Sequence, residues 1–196
     1  MEFNVPVSNP MLVGAIELLK AEDTPGHRSM FVGELQKASL LAPALVDPEP
    51  VEDGEGKLKI TPGSKVQFPM LTSSDGKWYY MGFTDKVEYR KWQEKNRELP
   101  FFALKFEDYA RMLFGRDSQG NICSALGFVI NPYGANLVVQ KQMVAGVMAA
   151  RAAQAKKQAG APPMQKLRIN VPGGGESKKT AEQGTASVEG EQEKLI

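Results

Sequence analysis

His27 is the only imidazole in the chain and Cys123 the only thiol, so chemistry needing either group has one candidate apiece. A general base at His27 needs a partner to orient the ring. Beside Arg28 and near a helix start, His27 reads most simply as a surface residue. Cys123 heads an apolar run with no basic neighbour in sequence to favour a thiolate, and reads as a small hydrophobe. A single Cys excludes an internal disulfide and an all-thiolate metal site, and a single His excludes a His-pair zinc site. No catalytic residue, cofactor or metal ligand is assigned.

Carboxylates are the remaining reactive groups. Asp85 or Asp108, together with Asn131, would serve a small-molecule or enzymatic cleft if the fold gathered them in one concave pocket. Both acids also sit where a helix N-terminus wants an acceptor, which is a sufficient job for each. Asp47, Glu49, Glu52, Asp53 and Glu55 surround a turn. They lack the register of a calcium loop, and Pro48 and Pro50 interrupt them, so a solvated hairpin is expected. Gly54-Glu55-Gly56 and Gly173-Gly174-Gly175 neither follow a buried strand nor open a helix, so neither is a phosphate cradle.

Lys86, Arg90, Lys91, Lys95 and Arg97 interleave with Tyr89 and Trp92, but Glu88, Glu94 and Glu98 cancel most of the field. The whole chain repeats this balance: 24 Lys and Arg against 23 Asp and Glu leave a formal charge of +1. Nucleic acid is therefore not an expected partner. No run approaches the roughly 18 apolar residues of a membrane span. Residues 1–10 carry an acid at position 2 and two prolines, unlike a secretory signal. The cytosol is the expected compartment, and the oligomeric state is not legible.

The elements that must hold these residues can be read in order. Asn9-Pro10 opens a helix with Leu12, Ile16 and Leu19 on one face, and Thr24-Pro25 caps a second with Phe31, Leu35 and Ala38 inward. Leu40–Val46 reads as a strand in which Pro43 marks an edge or bulge. Val51–Ile60 reads as a hairpin, Lys65–Thr72 as one half-buried strand, and Trp78–Phe83 as another. Asp85 caps a helix whose Tyr89 and Trp92 share a face. Leu99–Leu104 is a strand, Phe106–Gly115 a helix, and Ile122–Ile130 a strand stopped by Asn131-Pro132-Tyr133-Gly134. A helix over 141–158 turns Met143, Val147 and Ala150 to one side.

After Gly160 the composition turns to Gly, Ser, Glu, Gln and Lys, and only Met164–Val171 keeps an apolar pattern. Residues 1–159 are read as one domain and 160–196 as a low-complexity, disordered tail.

Three ordered stretches resemble the N-terminal domain of the SseB (enhanced serine sensitivity) family. They are Lys65–Thr72 (KVQFPMLT) running on through Trp78 to the Trp92 helix, Leu104–Leu113 (LKFEDYARML), and Leu126–Pro132 (LGFVINP). The resemblance covers roughly residues 8–150. It departs at the longer Trp78–Phe83 meander, and Leu167–Pro172 matches only a first strand of the second domain that some relatives carry. The resemblance implies an α+β domain and carries over no catalytic residues.

The expected fold is α+β: a mixed, largely antiparallel sheet with helices mainly on one face. The expected function is a non-enzymatic cytosolic interaction module for a protein partner. Its surface is a sheet edge or the groove beside the Asn131–Tyr133 turn, with Trp78, Tyr79, Tyr80, Asn131 and Tyr133 as candidate contacts. The alternatives are the carboxylate cleft and a membrane-peripheral role for the 141–158 helix.

Overall fold

The structure, a computed structural model, describes residues 2–52, 58–116 and 120–159. The expected 160–196 tail, its Met164–Val171 segment, the Gly54-Glu55-Gly56 turn and the Gly173-Gly174-Gly175 linker lie outside those residues.

The described residues build five helices and several small, mostly antiparallel sheets, an α+β fold. The first helix, α1 (Pro10–Ala21), starts on proline and buries Leu12, Ala15 and Ile16. In α2 (Pro25–Lys37), the Thr24 hydroxyl accepts the His27 backbone N–H at 3.1 Å. Phe31 and Leu35 are its buried positions. His27 thus has a place in the first turn, and its Nδ1 lies 2.7 Å from the Glu22 carbonyl oxygen.

One sheet runs β1 (Glu2–Phe3), β9 (Phe101–Lys105), β2 (Ser39–Pro43), all antiparallel. The expected strand Leu40–Val46 is broken where Pro43 has no N–H to give: β2 stops, and β3 (Leu45–Asp47) pairs elsewhere, with β6 (Lys65–Gln67). Lys65–Thr72 also divides. Pro69 separates β6 from β7 (Met70–Thr72), and each half joins a different ladder. The two arms of the expected hairpin, β4 (Val51–Glu52) and β5 (Leu58–Lys59), pair antiparallel.

The second main sheet has the order β11 (Leu137–Gln140), β10 (Gly127–Ile130), β8 (Trp78–Gly82), β7. Its β8–β10 pair is parallel. The strand expected from Ile122 begins only at Gly127. Ahead of it the Cys123 thiol takes the Ala125 N–H at 3.4 Å, and Ile122 and Leu126 are exposed. Strand β11 has no counterpart among the elements read from the sequence. It exists because Asn131 (φ 51°) and Asn136 (φ 49°) reverse the chain, in a region that short polar side chains tolerate.

The two main sheets meet at a bridge between Leu41 and Phe83, with both backbone hydrogen bonds at 2.8 Å. Side chains alternate across β2 and β9, as strands require. Leu40, Ala42, Phe102 and Leu104 enter a large core with residues of α1, α2, α4 (Phe106–Phe114), β10, β11 and α5 (Lys141–Ala159). Leu41 and Phe101 face the other way, into a small core with Met81, Phe83, Tyr89, Trp92 and Leu99 beneath α3 (Lys86–Gln93). Four helices thus serve one side and α3 the other. Each fully buried large side chain contributes roughly 1.5–3 kcal/mol.

Tyr109 ties the layers together: it is fully buried, stacks on Phe128 at 4.3 Å, and donates its hydroxyl to the Met81 carbonyl at 2.8 Å. Gly82 makes room for it, because a Cβ there would lie 2.8 Å from both the Tyr109 hydroxyl and Leu40 Cδ1. The α5 face differs by one step from expectation. Val144 is its fully buried residue, Met143 and Val147 are partly buried, and Ala150 is exposed. Arg151 secures that helix, donating to Gln36 at 2.5 Å and to Glu107.

Candidate functional site

Parallel pairing of β8 and β10 brings their carboxyl ends to the same edge of the sheet. There the chain leaves β8 through Phe83-Thr84-Asp85 into α3, and leaves β10 through Asn131 into a tight turn. The two exits are tied directly. Asn131 Oδ1 accepts the Thr84 N–H at 2.9 Å, and Asn131 Nδ2 donates to the Thr84 hydroxyl at 2.9 Å. Thr84 Oγ1 donates in turn to Asp85 Oδ2 at 2.9 Å. Asp85 Oδ1 accepts the N–H groups of Val87 and Glu88, at 2.8 and 3.0 Å, which caps α3. Asn9, the residue before α1, joins by donating to the carbonyls of Thr84 and Ser39 at 2.7 and 2.8 Å.

Beside this network lies a cleft of about 360 Å³ between α1, α3 and the Asn131–Ala135 turn. Val13 and Ile16 line its apolar side, while Glu17, Lys20, Asp85, Glu88, Lys91 and Asn131 line the rest. Lys20 donates to the Ala135 carbonyl at 2.9 Å. Lys91 donates to Glu88 Oε1. Glu88 Oε2 is buried with no hydrogen-bond partner. It lies against Gly134, where a Cβ would fall 2.2 Å from that oxygen, so only glycine leaves room for the carboxylate.

The sequence-derived candidates do not share one place. Asp85 and Asn131 meet in the cleft, through Thr84. Asp108 does not: it accepts the Lys105 N–H at 2.9 Å and pairs with Arg111 at 3.2 Å on α4. Trp78, 46% exposed, starts β8, and Asn131 follows β10, so they stand at opposite ends of the parallel pair. Tyr79 and Tyr80 are partly buried and point to opposite faces. Burial and the Cys123 thiol, 3.2 Å away, push the Tyr80 phenol well above the ordinary tyrosine value. Tyr133 is 40% exposed on the turn, with the Lys95 ammonium 5.0 Å from its ring centre.

The sequence does not mark Glu17, Lys20, Glu88, Lys91 and Gly134 as sharing one cleft. Their signal is slight, since acid and lysine three apart on one helix also describe an ordinary solvated face. Among the described residues, no group of three or more His, Cys, Asp or Glu side chains could hold a metal ion. None of their helices is long and apolar enough to cross a membrane. Other hollows lie among the described residues, and two of them are larger than the cleft. One, of about 410 Å³, has Tyr80, Arg111, Arg116 and Cys123 on its walls. The other, of about 560 Å³, is apolar and lies between α4 and α5 at Ala110, Phe114 and Met148.

A small α+β domain whose two parallel strands end at a capped helix, an asparagine-locked turn and a polar cleft is the class defined so far. The chain belongs to the SseB protein N-terminal domain family, whose model matches residues 12–146, more than half of its length. No match is found among curated proteins or among solved structures.

Proposed function

We propose that this chain is a non-enzymatic recognition module that receives a protein partner in the cleft beside the Asn131–Tyr133 turn. One observation carries the reading: apart from Glu17 and one buried oxygen of Glu88, the polar side chains gathered there hold one another in place. Asp85 caps α3, Asn131 is bound through both ends of its amide, and Lys20 and Lys91 each have an acceptor. A catalytic site needs a base within reach of the proton it abstracts, or a nucleophile activated by one. Thr84, the hydroxyl nearest the carboxylates, is fully buried and already donates to Asp85. Tyr133, exposed on the same turn, supplies an aromatic rim of the kind favoured at protein interfaces. A reducing compartment such as the cytosol suits the free Cys123 thiol.

A small-molecule site is the second reading, favoured by the cleft volume, which falls within the usual range for such ligands. The membrane-peripheral reading has less support, because α5 turns Val144 into the core.

The test replaces Val13, on the cleft wall, with a diazirine-bearing aliphatic residue and irradiates living cells. A parallel sample carries the same residue at Gln142, exposed on α5. The reading expects one discrete cross-linked protein from position 13 and none from position 142. A cross-linked metabolite in place of a protein, or equal yields from both positions, overturns it.

A further inference from the structure

The hollow of about 410 Å³ at Tyr80 and Cys123 shares no lining residue with the cleft. Two guanidinium groups, Arg111 and Arg116, line it, and among the described residues no carboxylate does. Each guanidinium carries five N–H donors and keeps its charge at any pH a folded protein meets. Among the described residues, Arg111 pairs with Asp108 at 3.2 Å and Arg116 donates to the Gly120 carbonyl at 2.7 Å. These contacts leave most of their donors to water or to a guest. Lys141 adds a third positive charge behind the wall, where it donates to the Cys123 carbonyl at 3.3 Å. Even with Asp108 and Asp117, the sequence neighbour of Arg116, both counted, these cations are in excess by one.

The wall supplies one more donor. The Tyr80 hydroxyl and the Cys123 thiol lie 3.2 Å apart, and either can donate to the other. Whichever does, its partner keeps a hydrogen for a further acceptor. Met70, Met112 and Ile122 place apolar surface beside these donors. The hollow thus offers positive charge, N–H forks and apolar surface together. A guanidinium fork matches two oxygens of one anionic group through parallel hydrogen bonds. The volume falls in the range usual for small-molecule sites.

We propose that this hollow is a second binding site, separate from the cleft, and that its ligand is a small organic oxyanion, a carboxylate or a phosphate ester, carrying an apolar group. Arg116 and Arg111 hold the anionic oxygens, and the apolar part lies on Met70, Met112 and Ile122.

The test is a nuclear magnetic resonance titration of the full chain with four probes: hydrocinnamate, its uncharged twin hydrocinnamamide, phenyl phosphate and inorganic phosphate. The proposal expects saturable shifts at the amides of Gly115, Ile122 and Ser124, with none at Thr84 and Gly134 in the cleft. Binding of hydrocinnamate or of phenyl phosphate supports it, and the tighter of the two identifies the anionic group. Hydrocinnamamide should produce no saturable shift. Inorganic phosphate should bind at least about fivefold more weakly than the tighter organic anion, because it buries no apolar surface. Arg116→Gln keeps most of the stem and removes the charge, and should weaken binding by about fivefold, the upper range for one exposed ion pair. Arg116→Lys, which keeps the charge without the fork, should recover only part of that loss. Unchanged circular dichroism would establish that both variants fold. Equal shifts with hydrocinnamamide, no saturable shift with either organic anion, shifts centred on the cleft, or full affinity in Arg116→Gln overturns the proposal. Inorganic phosphate binding as tightly as the organic anions overturns it too, as an adventitious anion site.

Discussion

Asn131 and Thr84 lie 47 positions apart and are joined by two hydrogen bonds of 2.9 Å, one through each end of the asparagine amide. Both residues are buried, Thr84 completely. The pair fixes the end of β10 against the entry to α3, and the cleft wall is built on that joint. Removing either partner leaves a polar group without its mate in a place water does not reach, which costs about 1–3 kcal/mol per group.

Asn131→Ala is therefore expected to lower unfolding free energy by about 3 kcal/mol, measured by urea denaturation. It removes the amide and also forces alanine into a backbone at φ 51°. Asn131→Gly relieves the backbone conflict alone and should recover roughly 1 kcal/mol of that loss. Equal stabilities for the two variants would show that the left-handed backbone plays no part.

Glycines separate the tight places from the open ones. Gly82→Ala pushes a methyl group to 2.8 Å from Leu40 and from the Tyr109 hydroxyl. A loss of about 1–3 kcal/mol is expected, the range for overpacking a core. Gly33→Ala, within α2 and with nothing within 4 Å of the new Cβ, should instead stabilise by about 0.5–1 kcal/mol. Thermal melts of the two variants should move in opposite directions.

Burial raises the phenol pKa of Tyr80, Tyr89 and Tyr109 above the ordinary value of 10.0; the thiol of Cys123 adds to it at Tyr80, and negative charge from Glu98 and Asp108 at the other two. The folded state thus resists ionisation that the unfolded chain accepts. This stability is present in full below the unfolded value and is lost as pH climbs past it. In an alkaline titration, the tyrosinate absorbance of these three residues should rise together with the loss of far-ultraviolet circular dichroism. Their full ionisation in a chain that keeps its dichroism would contradict the packing described for them.

Arg151 holds Glu107 below the ordinary carboxylate range, chiefly through the hydrogen bond between them. The contribution is present above the unfolded value and is lost as pH falls through the folded one. Both side chains are more than a third exposed, so solvent screening keeps the pair's worth under about 1 kcal/mol. Arg151→Ala should cost about that at neutral pH, including its packing over Phe106, with the ion-pair share vanishing in acid. Denaturation curves at the two pH values check this.

Local rules carried the helices. Thr24 and Asp85 are caps because their side chains sit where the first amides of a helix lack partners, and spacing alone places Leu12, Phe31, Tyr89 and Trp92 inward. Strand extents were less legible. Pro69 divides an alternating run that looks continuous when polarity is counted without hydrogen bonds. Strand β11 depends on two left-handed asparagines that resemble loop residues. The cleft was the least visible feature. Its walls come from α1 and α3, with Val13 and Ile16 among charged residues, and it opens beside the turn after β10, which the parallel pairing with β8 sets next to the start of α3. Glu88 gives no hint in sequence that Gly134, far along the chain, shelters one of its oxygens.

Gly134→Ala tests the central claim most directly, because the three atoms nearest its new Cβ all belong to the carboxylate of Glu88, the far end of a side chain that can swing aside without unfolding the domain. The measurement is cross-linking from Val13 in that variant, beside the parent chain, with thermal midpoints recorded for both. The account predicts that the cross-linked protein disappears while the midpoint stays within a few degrees. An undiminished cross-link in the folded variant would contradict it.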